Sequence, residues 1–164
     1  KHGYEILADN TVEELKHIHA VYDLAKEQGD ITDSSYEALE KRWKDENAER
    51  SEKVEKGEVI YGLKEYTFQL YLDYEISTLK EKYCNDTNRE GMKLTEDEIQ
   101  EHYQSREWIF GDSDENADLE MARIAVEREL REQKYDDMIT QRETDSQVAG
   151  NMENVNRLTL KNIQ

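Results

Sequence analysis

No proline occurs anywhere in these 164 residues, and only seven glycines punctuate them. Proline is the residue that most firmly stops a helix, and interior glycine weakens one. A chain lacking the first and sparing with the second is free to form long helices. The apolar residues fall at helical spacing. Leu15, Ile18, Tyr22 and Ala25 follow at i, i+3, i+7 and i+10, which is one face of an α-helix. Asn10 or Thr11 is the expected start of that helix, each with a glutamate three residues on to complete a reciprocal cap. Gly29 is its expected end.

Ile31-Thr32-Asp33-Ser34-Ser35-Tyr36 opens a second helix, with Ile31 and Tyr36 at the staple positions around Thr32. Tyr36, Leu39 and Trp43 are its expected buried stripe. Beyond Trp43 it is charged nearly all round as far as Lys53, the pattern of a helix that crosses solvent or bridges two lobes. Gly57 and Gly62 bracket Glu58-Val59-Ile60-Tyr61, the most β-like run in the chain, which fits a short strand or an extended connector. A third helix is expected from about Lys64 to Tyr83, with Tyr66, Leu70 and Tyr74 in one row and Phe68, Leu72 and Leu79 beside it.

Leu94-Thr95-Glu96-Asp97-Glu98-Ile99 carries the clearest helix start. Thr95 and Glu98 form a capping box, and Leu94 and Ile99 the matching staple. A long last helix follows from about Ala117 to Thr140, with Leu119, Ala122, Val126 and Leu130 in a row. Near the end, Leu158 and Leu160 alternate with polar residues, as a short strand pairing with Val59 to Tyr61 would. The expected fold is all-α: about five helices, two of them long, in one or more elongated lobes, with at most a short two-stranded β element. The domain expectation is a single helical unit over 1–164, or two lobes bridged by the helix at about 33–56.

The net charge of −18, from 40 acidic and 22 basic residues, excludes the basic footprint that nucleic-acid binding needs and disfavours an anionic membrane surface. Leu, Ile, Val and Phe make up only about a fifth of the chain, which implies a thin core. Ten tyrosines and two tryptophans supply the missing apolar area. No run of apolar residues is long enough to span a bilayer. The opening at Lys1 rather than Met reads as a trimmed start.

Few residues suggest chemistry. His17 and His19 are two apart, so a helix points them to opposite sides, whereas a metal pair needs i,i+3 or i,i+4 spacing. Asp112, Asp114 and Asn116 resemble the opening of a calcium loop. Ala117 stands where the turn glycine belongs, however, and Arg123 where the bidentate glutamate belongs, so Asp114 or Asn116 reads better as a helix cap. Cys84 is alone and follows Tyr83 among acids, surroundings that raise a thiol pKa. No phosphate-binding, dinucleotide or nucleophile-elbow motif occurs, and neither a catalytic residue, a metal site nor a cofactor is expected. The remaining signal is the tyrosine-rich stretch. Tyr61, Tyr66, Leu70, Tyr71 and Tyr74 are the candidate peptide-binding residues, since tyrosine offers apolar area with a polar tip. The competing reading of the same stretch is a thin core with its hydroxyls at the edge.

Gly29-Asp30-Ile31-Thr32, Gly57-Glu58-Val59-Ile60-Tyr61-Gly62 and Leu94 through Tyr103 together resemble the helical part of SurA/PrsA-type foldase chaperones, and Arg131 to Ile139 is similar to that family's last helix. In that family a parvulin prolyl-isomerase domain usually follows the Tyr103-like position; here Phe110 leads through Gly111 almost directly into the last helix, so no catalytic residue carries over. The resemblance implies a non-enzymatic, extracytoplasmic bacterial module of the cell envelope, touching membrane only through an N-terminal lipid anchor outside this chain. Its expected action is binding unfolded or extended polypeptide in an aromatic-lined cleft. The alternative is an envelope lipoprotein scaffold that binds one folded protein partner.

Overall fold

A computed structural model describes residues 3–112 and 114–146, with side chains from Asp9 onward. Among these residues the protein is all-α, with no strand. Five helices follow in order: α1 (Gly3–Glu27), α2 (Tyr36–Glu55), α3 (Phe68–Asn85), α4 (Glu96–Gln104) and α5 (Leu119–Asp145). The described residues divide into two compact units. One holds the residues up to Leu79 together with those from Gln141 on; the other is Lys80–Thr140. The chain passes from one to the other inside α3 and inside α5, and α2 lies wholly in the first. The strand expected at Leu158 and Leu160 lies outside the described residues. Val59 to Tyr61, its expected partner, forms no strand and is part of an irregular connector.

In the first unit, α1 begins at Gly3, several residues before the expected caps, and runs through Asn10 and Thr11 without a break. Short polar side chains cost a helix interior only a few tenths of a kcal/mol, roughly, so a capping residue does not compel a start. The far end is as expected. Gly29 takes a positive φ of 75°, its N–H bonds to the Lys26 carbonyl at 3.0 Å, and Asp30 N–H bonds to the Ala25 carbonyl at 2.8 Å. This paired closure satisfies carbonyls that the helix leaves open. Gly57 closes α2 in the same way, through Val54 and Lys53.

α2 starts three residues later than the Thr32 cap would place it. Ser35 is the N-cap and accepts from Ala38 N, because Asp33 Oδ1 takes the Ser35 N–H at 2.8 Å and Arg42 Nη1 holds the Asp33 carbonyl at 3.1 Å. Tyr36, expected in the buried stripe, is exposed, while Leu39 is buried. α3 likewise starts at Phe68 rather than Lys64. The Asn47 side chain takes both the N–H and the carbonyl of Tyr66, each at 2.8 Å, so Tyr66 cannot join the helix ladder; Thr67 Oγ1 accepts from Leu70 N at 3.3 Å and serves as the cap. The end of α5 is tied to α1 by Arg142, whose two terminal nitrogens meet Glu27 at 3.1 and 2.6 Å, and by His17 Nδ1 against Glu143 at 2.6 Å.

In the second unit the Thr95–Glu98 capping box forms as the sequence predicts. Lys134 of α5 pairs with the same Glu98, and Arg123 grips Glu96 through both terminal nitrogens. Ile99, Trp108, Ala122 and Val126 form the core here. The acidic loop before α5 is shaped by Trp108. Its N–H bonds to Asn116 Oδ1 at 2.5 Å, its carbonyl accepts from Ala117 N at 2.8 Å, and its indole N–H reaches the Tyr103 carbonyl at 3.0 Å. Asn116 is thereby taken, and Asp118, not Asp114 or Asn116, caps α5 through Met121 N at 2.9 Å. Among the described residues no cluster of three or more His, Cys, Asp or Glu is arranged to hold a metal ion, and no helix is long and apolar enough to cross a membrane.

Candidate functional site

The tyrosine-rich stretch of the first unit divides into a buried half and an exposed half. Tyr66 and Tyr71 are buried; Leu70 and Tyr74 are well exposed, and Tyr61 is 86% exposed. The Tyr66 and Tyr74 rings stack with centroids 5.1 Å apart, and Tyr71 meets Tyr66 edge-on at 6.3 Å. Sequence spacing had set Tyr66, Leu70 and Tyr74 on one helix row. Tyr66 instead arrives from the connector and lays its ring on α3 from outside.

Tyr71 is buried because its hydroxyl has a task. Glu75, one turn on, is the buried carboxylate of this unit at 8% exposure. It accepts from Tyr71 at 2.9 Å, from Tyr22 of α1 at 2.5 Å, and from Arg42 of α2 at 2.6 and 3.1 Å. A carboxylate removed from water needs this degree of compensation. Burial, then the carboxylate beside them, push both the Tyr22 and Tyr71 hydroxyls well above their ordinary 10.0, so both remain protonated donors at neutral pH. The network joins three helices and faces the interior. It makes a strut, not a reaction centre.

The exposed half is a pinned loop. Gly57 and Gly62 both have positive φ, 71° and 81°, which glycine adopts without strain. Between them the backbone is irregular, and Val59 and Tyr61 project to solvent at 77% and 86% exposure. Arg50 of α2 fixes this loop from beneath. Its Nη1 donates to the carbonyls of Tyr61 at 2.9 Å and Leu63 at 2.8 Å, its Nε bonds Glu46 at 2.7 Å, and its guanidinium lies 4.6 Å from the Tyr66 ring centre. A shallow groove of about 330 Å³ lies among the loop, α2 and α3, lined by Val59 and Tyr61 of the loop, Glu46, Arg50 and Lys53 of α2, and Tyr74 of α3. Large apolar side chains held out on a fixed backbone suit recognition of another protein, since little ordering is left for the binding step.

No protein-family model matches the chain. Over 136 residues it is 31% identical to the chaperone for lacto-N-biosidase of Bifidobacterium longum subsp. longum. The match is to a chaperone. It takes in 83% of this chain and 49% of that protein, so the chain spans about half the length of the curated relative it matches. Among solved structures, the crystal structure of the GH136 lacto-N-biosidase from Eubacterium ramulus has the same fold over 89% of this chain and 29% of its own, with a TM-score of 0.68 at 19% identity.

These similarities overturn the resemblance to SurA/PrsA-type foldases. The residues that suggested it are a capping box, a stapled start and glycines after helix ends. Each is a local device for starting or ending a helix, by hydrogen bond or by apolar contact, and any helical chain meets the same need with the same residues. The envelope lipoprotein expected with it rested on those same residues.

Sequence reasoning passed over Arg50, which sat in a helix read as uniformly charged, and Glu75 with Arg42. A glutamate inside a helix rich in apolar residues, between Tyr71 and Leu79, was the available signal for the second. Val59 was noticed as β-like but not as a displayed side chain. On α5, Met121 and Ile124 were also missed. They lie off the Leu119, Ala122, Val126 row, and are 71% and 83% exposed.

Proposed function

We propose that this chain is a non-enzymatic chaperone module that binds one protein partner, a glycoside hydrolase of the lacto-N-biosidase kind, and supports its folding. The observation that carries the reading is the 31% identity, across most of this chain, to a chaperone for such an enzyme. The recurrence of the fold as part of a GH136 lacto-N-biosidase chain supports it in a second way, since helices of this fold then accompany the enzyme in one case as a helper and in the other as part of its own chain. The pinned loop with Val59 and Tyr61 suits a defined partner surface better than it suits a general trap for unfolded chains: Tyr66 and Tyr71, which a broad aromatic cleft would need, are buried.

Co-expression tests the proposal. A lacto-N-biosidase catalytic chain from the same organism, made with and without this protein, should gain soluble, active yield in its presence, and the two should co-purify. Equal yield of active enzyme in both cases, with no co-purification, would remove the reading. Suppression of aggregation of several unrelated clients to the same extent would return it to a general holdase.

A further inference from the structure

The second unit carries an apolar face that its own core leaves uncovered. Met121, Ile124, Ala125 and Arg128 follow at i, i+3, i+4 and i+7 on α5 and so share one side of it; Met121 and Ile124 are among the most exposed large apolar residues described. Beside them runs the segment that follows Trp108, with Ile109 and Phe110 half exposed. A shallow depression of about 280 Å³ lies between that segment and α5, lined by Arg106, Trp108, Ile109 and Phe110 from the one and by Ala125, Arg128, Glu129 and Glu132 from the other. The segment is held in place. Trp108 is buried, fastened to Asn116, and covered by the Arg106 guanidinium 3.9 Å from its ring centre.

Charge is distributed in a distinctive way across this face. Its central arginines are neutralised locally, Arg106 by Glu129 and Arg128 by Glu132 at 2.8 Å. Close by in the chain, Glu107, Asp112, Asp114 and Glu120 are exposed. The result is two exposed apolar pairs, Ile109–Phe110 and Met121–Ile124, on either side of locally paired charges, with these acidic residues beside them in the chain, a mixture of apolar and polar area that suits a protein interface. Large apolar side chains held this exposed on so acidic a chain mark a contact site. A second copy of the chain is a poor occupant, since it would set acid against acid and bring a further −18 of charge with it.

We propose that the Ile109–Phe110 and Met121–Ile124 face is a docking surface for the folded lacto-N-biosidase partner, taking an apolar patch of that protein flanked by lysine and arginine. The inference rests on the function proposed above and names a surface for it. The acidic residues steer encounter and fix orientation, and the apolar pairs set the lifetime of the complex.

Binding of the full chain to the catalytic chain of a lacto-N-biosidase from the same organism, measured by surface plasmon resonance at several salt concentrations, tests it. Met121→Glu with Ile124→Glu should weaken binding by about tenfold or more with the helical CD signal unchanged. Glu120→Lys with Asp114→Lys should slow association and flatten its dependence on salt. Should the double glutamate variant lose helical signal, Ile124→Ser alone serves the same purpose. A wild-type chain that does not bind the enzyme overturns both this inference and the function beneath it. Wild-type binding that neither pair of substitutions alters overturns the docking surface alone. Micromolar self-association in sedimentation, abolished by Ile124→Glu, would give the face to a second copy and also overturn it.

Discussion

Arg42 meets Glu75 along two edges, Nε on Oε1 at 2.6 Å and Nη2 on Oε2 at 3.1 Å. The two residues are 33 positions apart and join α2 to α3. Removing one partner of a buried pair leaves a desolvated charge, whereas removing both need not. Arg42→Met should therefore cost about 3–5 kcal/mol of stability. Glu75→Leu alone beside it would leave the Tyr22 and Tyr71 hydroxyls without their acceptor, so Arg42→Met with Glu75→Leu, Tyr22→Phe and Tyr71→Phe should cost clearly less than the single change. Urea unfolding followed by CD checks the order. A fourfold variant weaker than Arg42→Met would show that the network contributes more than its own compensation.

Tyr71 and Tyr61 separate core from display. Tyr71→Ala empties a buried site and should cost about 3–5 kcal/mol. Tyr61→Ala removes a side chain already in solvent and should move stability by no more than about 0.5 kcal/mol, while lowering affinity for the proposed enzyme partner. Thermal melts of the two variants, with a binding measurement on the second, distinguish the roles. Equal destabilisation by both would mean that Tyr61 is packed.

Arg50 is the support of the displayed loop. Arg50→Ala frees the Tyr61 and Leu63 carbonyls, and hydrogen bonds from a charged donor are worth about 1.5–3 kcal/mol each. Amide exchange over residues 58–63 should accelerate markedly, and partner affinity should fall although no displayed side chain has changed. Unaltered exchange in that loop would show that the two glycines and the ends of α2 and α3 suffice to hold it.

Glu98 links stability to acid. The Lys134 ammonium, then the N–H and hydroxyl of Thr95, pull its carboxyl from the ordinary 4.5 down to about 2. A carboxyl depressed in the folded state contributes stability that is complete above the unfolded pKa and lost as pH falls through the folded one. The melting temperature should therefore drop between pH 4.5 and pH 2, and Glu98→Gln should flatten that drop. An identical acid profile in the variant would place the pH dependence elsewhere.

What the sequence revealed follows from how local each interaction is. The Thr95–Glu98 box spans four residues, and the structure reproduces it. The glycine closures of α1 and the apolar row of α5 are also local and also legible. Helix starts were misplaced wherever a distant side chain captured a backbone group. Asn47 does this to Tyr66, and Arg42 to Asp33, and no spacing rule contains either pairing. The candidate site was legible as a composition of tyrosines, not as a division between buried and displayed. That division depends on Glu75 drawing Tyr71 inward and on Arg50 holding Tyr61 outward. Met121 and Ile124 escaped notice for the opposite reason: a periodicity reading counts which apolar residues share a face, and cannot tell that a second face has been left bare.

Cys84 is buried in the second unit, with its Sγ 3.7 Å from the Arg131 carbonyl, and burial pushes its thiol up to about 11. Native protein thus presents almost no thiolate to a reagent, and unfolded protein presents an ordinary one. With one sulfhydryl in the whole chain, each alkylation event records one opening of Lys80–Thr140. The protein carries its own single-site clock for that half, which needs no label, no engineered residue and no partner to read.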